Sequence, residues 1–273
     1  MGKRVLITGS TDGIGRETAL QLARKGWDVV IHGRKEERVA ATVERIRQDT
    51  GNPDITGVVG DLASLKAVTA LAATCLERFE RLDALVANAG VFQTRFERSA
   101  DGYEMTFAVN HLAHFLLVRR LLPLLKRSPG GRIVIVSSMA HASRIDFGNL
   151  QGEKGFDGYE AYGISKLCNL LFGYKLARDL KETGISVNSL HPGVINTKLL
   201  KAGWGGIGAP VHQGAETPVY LVDSPEVAGM TGQYFVNRAP ARPVPVAHDL
   251  PTQQRLWELS EELCEKALSQ DPF

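Results

Sequence analysis

Val5-Leu6-Ile7-Thr8-Gly9-Ser10-Thr11-Asp12-Gly13-Ile14-Gly15 is the stretch on which the fold turns. Val5-Leu6-Ile7-Thr8 reads as a short buried strand, and apolar residues at helical spacing follow from Ile14 to Lys25. The three glycines therefore fall in a strand-to-helix turn. Gly9 supplies backbone angles that a Cβ forbids, and Gly13 lets the main chain approach a pyrophosphate. Gly15 lets the helix pack close to the strand, and the helix start offers free N–H groups and a positive dipole end to phosphates. No Gly-Lys-Ser/Thr follows, so this is not a Walker loop. A plain tight turn has the same glycines; what favours a dinucleotide cradle is the place of this one after the first strand of an alternating chain. The expected contacts are Gly9, Ser10, Thr11, Asp12, Gly13, Ile14 and Gly15.

Outward from this turn, strand-like and helix-like segments alternate. Asp28–His32, Ile55–Gly60, Leu82–Ala87, Arg132–Val136 and Ile185–Leu190 read as strands, with Gln233–Val236 as a seventh. Helical patterns span Glu36–Asp49, Leu65–Arg81, Tyr103–Lys126 and Tyr159–Thr183. Short continuous apolar strands between amphipathic helices predict an α/β, doubly wound Rossmann fold: a mostly parallel seven-stranded sheet with helices on both faces. Its ligand belongs outside the carboxyl ends of the strands, where the strand order reverses. Proline-rich Ala239–Pro251 is the only linker-like piece. One domain over 1–273 is expected, with a substrate loop around 197–215 and a C-terminal extension over 238–273.

Of the 273 residues 44% are hydrophobic and 23% charged, with a net charge of +2 and no basic stripe. That balance excludes a nucleic-acid binder. The three cysteines, Cys75, Cys168 and Cys264, are far apart and odd in number, which fits reduced thiols rather than a disulfide framework or a metal site. No apolar run approaches the roughly 20 residues of a membrane span, and a strand beginning at Val5 leaves no room for a secretory signal. A cytoplasmic protein is expected.

The second strand ends His32-Gly33-Arg34-Lys35, without the carboxylate that would hold a ribose 2′-hydroxyl and repel a 2′-phosphate. Arg34 offers a fork of donors to such a phosphate, so NADP(H) is favoured; the alternative is a solvated arginine. Asp61-Leu62 is placed to meet the adenine and Asn88-Ala89-Gly90 the ribose, although Asp61 also suits a helix cap and Asn88 a turn.

Tyr162 and Lys166, four apart on a helical segment, share one face. A free phenol titrates near 10, and an adjacent ammonium favours the phenolate, so the pair suits acid/base work. Together, Thr8-Gly9-x-x-x-Gly13-x-Gly15, Asn88-Ala89-Gly90, Asn110, Ser138, Tyr162-x-x-x-Lys166 and Pro192-Gly193 resemble the short-chain dehydrogenase/reductase family over about residues 3 to 237. Asp101-Gly102-Tyr103-Glu104, Val109-Asn110-His111-Leu112 and Ser165-Lys166-Leu167-Cys168-Asn169 are similar to its retinol-dehydrogenase-like branch, as are His191-Pro192-Gly193-Val194 and Leu256-Trp257-Glu258.

The resemblance implies hydride transfer between NADP(H) and a carbonyl or alcohol. Ser138 would bind the substrate oxygen, with Ser137 the competing candidate; Tyr162 would pass the proton, and Lys166 would hold the ribose and lower the Tyr162 pKa. Asn110 would anchor a relay water, and Thr197, with Pro192, Gly193 and Val194, would fix the nicotinamide. Residues 143–158 are expected as an added loop over the pocket. Met139, His141, Phe156, Leu200 and Trp204 are the expected substrate-facing residues, with His141 also readable as structural, and the glycines at 203, 205, 206 and 208 suggest a mobile lid. An apolar aldehyde or ketone follows as the substrate. The two long helices suit a homodimer, or are satisfied within one subunit. A non-catalytic dinucleotide-binding sensor is the rival reading, and an extended-branch epimerase a second.

Overall fold

The computed structural model describes residues 2–269; Met1 and the last four residues of the expected extension, 270–273, lie outside the described residues. Eight strands form one sheet in the order β3-β2-β1-β4-β5-β6-β7-β8. The first seven are β1 (Arg4–Ile7), β2 (Asp28–Gly33), β3 (Ile55–Val59), β4 (Ala84–Ala87), β5 (Arg132–Val136), β6 (Ser186–His191) and β7 (Gln233–Val236), all parallel. The sheet thus has one strand more than expected. Asn237 and Arg238, both at positive φ, make a tight turn after β7, and β8 (Ala239–Ala241) pairs back antiparallel. Asparagine tolerates that conformation better than most residues.

Helices cover both faces because adjacent strand residues point opposite ways. Val5 and Ile7 pack with Val29 and Ile31 against α1 (Gly13–Arg24), α2 (Glu36–Thr50) and α8 (Val211–Asp223). Leu6 and Val30 face the other layer, built from α3 (Leu65–Arg78), α5 (Ala113–Lys126), α6 (Gly158–Asp179) and α9 (Leu250–Ser269). The segment expected as one helix from Tyr103 is α4 (Met105–Phe107), a π-helical turn over Ala108–Leu112, then α5. The linker-like stretch after β7 instead forms β8 and a 3₁₀ turn that leads into α9. There Trp257 wedges between Phe115 and Phe172, with ring centroids 5.0 and 5.9 Å away, and Arg119 pairs with Glu261 at 2.6 Å. A homodimer through α5 and α6 would have to form with α9 in place. No helix among the described residues is long and apolar enough to cross a membrane.

Candidate active site

The strand order reverses between β1 and β4, and a cleft of about 990 Å³ opens there, past the strand ends. Gly9, at φ +64°, turns the chain where a Cβ would stand 2.9 Å from Ala89 Cα. A Cβ on Gly15 would stand 2.6 Å from the Gly9 carbonyl oxygen. Asp12 caps α1 by accepting the Gly13 N–H at 2.9 Å, and Gly13, Ile14 and Gly15 at the start of that helix line the cleft. This cradle fits a dinucleotide pyrophosphate.

Thr11, Asp12, Gly13, Ile14, Arg34, Asp61, Leu62, Ala89 and Gly90 line the same cleft. Ser10 does not. Its hydroxyl turns inward, donating to the Ile7 carbonyl at 2.7 Å and accepting the His32 N–H at 2.9 Å, which stitches β1 to β2. Asp61 caps its own turn through the Ala63 N–H, while Ser64 caps α3. Asn88 holds the glycine turn through the Thr8 carbonyl at 2.8 Å.

Two residues of this region are legible only in three dimensions. His32 accepts the Gly9 N–H at Nδ1, 3.1 Å away, so its Nε2–H donates to Gly60 O at 3.1 Å. Burial pushes its pKa down to about 4, which keeps the ring neutral. Arg38, in the first turn of α2, reaches the cleft and pairs with Asp12 at 3.3 Å. Lys198 meets the same carboxylate at 2.6 Å.

At the other end stand Ser138, Tyr162 and Lys166. Asp157 caps α6 by accepting the Glu160 N–H at 2.8 Å, and the helix carries Tyr162 and Lys166 on one buried face. The Lys166 ammonium lies 5.5 Å from the Tyr162 ring centre and donates to the Val136 carbonyl at 3.1 Å. Ser137 donates to the Lys166 carbonyl at 2.8 Å, so it is Ser138 that meets the Tyr162 phenol.

Desolvation raises the Tyr162 pKa to about 12, with the Ser138 hydrogen bond pulling weakly the other way. Burial lowers Lys166 to about 8. In the protein alone, then, desolvation outweighs the lowering expected from the ammonium, and the phenol stays protonated.

Asn110 stands behind Gly90, fully buried in the π turn. Its side chain accepts the Val91 N–H at 2.8 Å and donates to Val91 O at 3.1 Å and Ser165 Oγ at 3.0 Å. Pro192, Gly193, Val194 and Thr197 line the cleft after β6, and Thr197 caps α7 (Lys198–Trp204).

The substrate-facing expectations divide. Met139, Leu200 and Trp204 line the cleft. His141 faces away: it bonds to the Ser138 carbonyl through Nδ1, accepts the Val244 N–H at 3.3 Å and packs on Tyr234. Phe156 packs on Phe96, and the loop over 143–158 lies on the core through Ile145, Phe147 and Leu150 rather than over the pocket. Phe92, missed by sequence reading, gathers an aromatic cluster behind the cleft-lining Tyr162 and Trp204. Phe92 lies 5.7 Å from Tyr162, 5.2 Å from Tyr159 and 5.2 Å from Trp204. Three of the glycines after Thr197 also have local roles. Gly203 is buried against Phe92, Gly208 abuts the Ile195 backbone, and Gly205 closes α7 in the left-handed conformation, so each answers a local packing or turn requirement. Tyr159 ties α7 to α6 through the Gly203 carbonyl.

A doubly wound sheet with a glycine cradle at its switch point and a Ser-Tyr-Lys set beside it defines a nucleotide-dependent oxidoreductase. Residues 3–204 match the family described as short chain dehydrogenase. Human retinol dehydrogenase 14 is 38% identical, with 95% of this chain and 85% of that protein covered. Human retinol dehydrogenase 13 is also 38% identical, over 96% and 84%. Among solved structures, an uncharacterised protein from Mycobacterium paratuberculosis matches with a TM-score of 0.79 at 29% identity, covering 96% of this chain and 93% of that one. A Shigella flexneri short-chain dehydrogenase complexed with NADP matches at 0.72 and 26%, covering 87% and 97%. The chain belongs to the short-chain dehydrogenase/reductase family, is retinol-dehydrogenase-like within it, and is an oxidoreductase acting on CH–OH groups.

Proposed function

We propose that the protein interconverts an apolar aldehyde or ketone and its alcohol with NADP(H), with Tyr162 as the acid/base. The observation that carries this is the Ser138–Tyr162–Lys166 set at the floor of a cleft whose other end is a phosphate cradle. The cradle of Gly9, Gly13 and Gly15 would hold the pyrophosphate, with Arg34 and Arg38 on a 2′-phosphate. NADP(H), when bound, supplies or accepts the hydride.

Ser138 donates to the substrate oxygen and orients it. Tyr162, a phenol at neutral pH, gives its proton to that oxygen as negative charge develops there, or takes one in oxidation. Lys166, charged below about pH 8, would hold the ribose hydroxyls and stabilise the phenolate left behind. Asn110 braces the wall behind Gly90.

The names of the relatives point to a long apolar alcohol, and Met139, Leu200, Trp204 and the exposed Ile207 supply a wall suited to one. Following NADPH consumption with aliphatic, aromatic, steroid-like and sugar carbonyls tests this. Turnover concentrated on the apolar set is expected; preference for small hydrophilic sugars would overturn the substrate reading.

A further inference from the structure

The π turn and the helix after it carry two histidines for which the proposed reaction has no use, His111 and His114. His114 is only 1% exposed and stands between the end of β1 and the Asn110 turn. Its Nε2 lies 2.8 Å from Thr8 Oγ1, and its Nδ1 lies 3.1 Å from the Asn110 carbonyl oxygen.

Counting donors fixes the direction of both bonds. Thr8 Oγ1 accepts the N–H groups of Ala89 at 3.0 Å and of Asn88 at 2.9 Å, the latter shared with the Val86 carbonyl at 3.0 Å, which occupies both of its lone pairs. Its own proton must therefore be donated. The His114 ring is the nearer acceptor; the Val86 carbonyl is 3.3 Å away and already accepts the Thr8 N–H. A carbonyl only accepts, so His114 Nδ1 carries the ring's proton. A doubly protonated ring would put a third donor on Thr8 Oγ1. Burial, together with the charge of Lys166 nearby, also opposes protonation.

These bonds close a circuit. Thr8 holds Asn88 and Ala89, the chain runs on to Val91, Val91 is clasped by the Asn110 side chain, and the Asn110 carbonyl returns through His114 to Thr8. The turn inside the circuit, Asn88-Ala89-Gly90, is a wall of the cleft.

We propose that His114, locked as the neutral Nδ1–H tautomer, is a positioning residue for cofactor binding: it holds the Thr8 hydroxyl and the Asn110 turn in the one register that shapes the Asn88-Ala89-Gly90 wall. The cofactor part rests on the reading of the cleft as an NADP(H) site, while the tautomer does not.

The test has two readouts. Histidine-selective ¹⁵N NMR of the cofactor-free protein is expected to show, for the resonance lost in His114→Phe, a protonated Nδ1 and a bare Nε2 throughout pH 8 to 5. Calorimetry with NADPH is expected to show binding weakened about tenfold in His114→Phe and in Thr8→Val, the loss of roughly one buried hydrogen bond. The double variant should be no weaker than the worse single. His114→Gln, which offers an acceptor to Thr8 and a donor to Asn110, should recover most of the affinity, and it keeps the test open if His114→Phe does not fold. An Nε2–H ring, a ring titrating near 6.5, unchanged NADPH binding in His114→Phe, or losses that multiply in the double variant would each overturn the proposal. A wild-type protein that keeps the tautomer but binds no NADPH would sink the cofactor reading instead.

Discussion

Tyr162 and Lys166 are displaced by burial in opposite directions, the phenol up to about 12 and the ammonium down to about 8. At neutral pH the pair therefore stands as a proton donor beside a cation. Carbonyl reduction should be steady below pH 8 and fall as pH rises through about 8, where Lys166 loses its charge; a rate–pH profile at saturating NADPH checks this. Tyr162→Phe removes the proton donor and should lower kcat by about 10²–10⁴ with NADPH affinity little changed. Persistent full turnover would end the mechanism. At the opposite end of the cleft, Arg34→Ala with Arg38→Ala should raise KM for NADPH by roughly tenfold or more and leave NADH alone. Each arginine–phosphate contact is worth about 1.5–3 kcal/mol, and only NADPH carries the 2′-phosphate.

Among the elements, the β1–α1 turn shows why glycine is required where it is. A methyl on Gly15 would press on the Gly9 carbonyl and the Asn88 amide. Gly15→Ala should therefore cost about 1–3 kcal/mol in a urea titration and weaken NADPH binding in parallel. This element was legible in the sequence because its meaning is local: glycines between a β-branched run and a helical period. The Tyr162–Lys166 face was legible for the same reason. What escaped depends on contacts between distant segments. His141 reads as a pocket residue until Val244, more than a hundred residues on, takes its ring nitrogen. Ser10 belongs to the glycine motif, yet β2 claims its hydroxyl. The eighth strand depends on two left-handed residues that no periodicity announces. Phe92 follows the Asn88-Ala89-Gly90 turn without a pattern of its own, and only the approach of α6 and α7 makes it part of the aromatic cluster.

Taken whole, the molecule keeps four histidines in its interior as neutral rings. Desolvation lowers His32, His114 and His191 to about 4 and His111 to about 3. The unfolded chain takes up those protons near 6.5. Stability is thus present in full above pH 6.5 and is lost as pH falls through 4, by on the order of 3 to 5 kcal/mol per ring at most. Glu104 and Asp101, whose burial raises their pKa, pull the other way, but they are two groups against four. The urea midpoint should fall steadily from pH 7 to pH 5, and a midpoint indifferent to pH over that interval would refute the account.

The three tryptophans are also unevenly distributed. Trp27 is held by Asp223 behind α1, and Trp257, on α9, lies between two phenylalanines. Trp204 alone lines the cleft, its indole 5.4 Å from the Tyr162 ring. A reduced nicotinamide seated there would drain the emission of that indole and leave the other two bright. The protein thus carries its own optical gauge of occupancy: titrating NADPH should quench a fraction of the fluorescence, and Trp204→Phe should abolish that fraction.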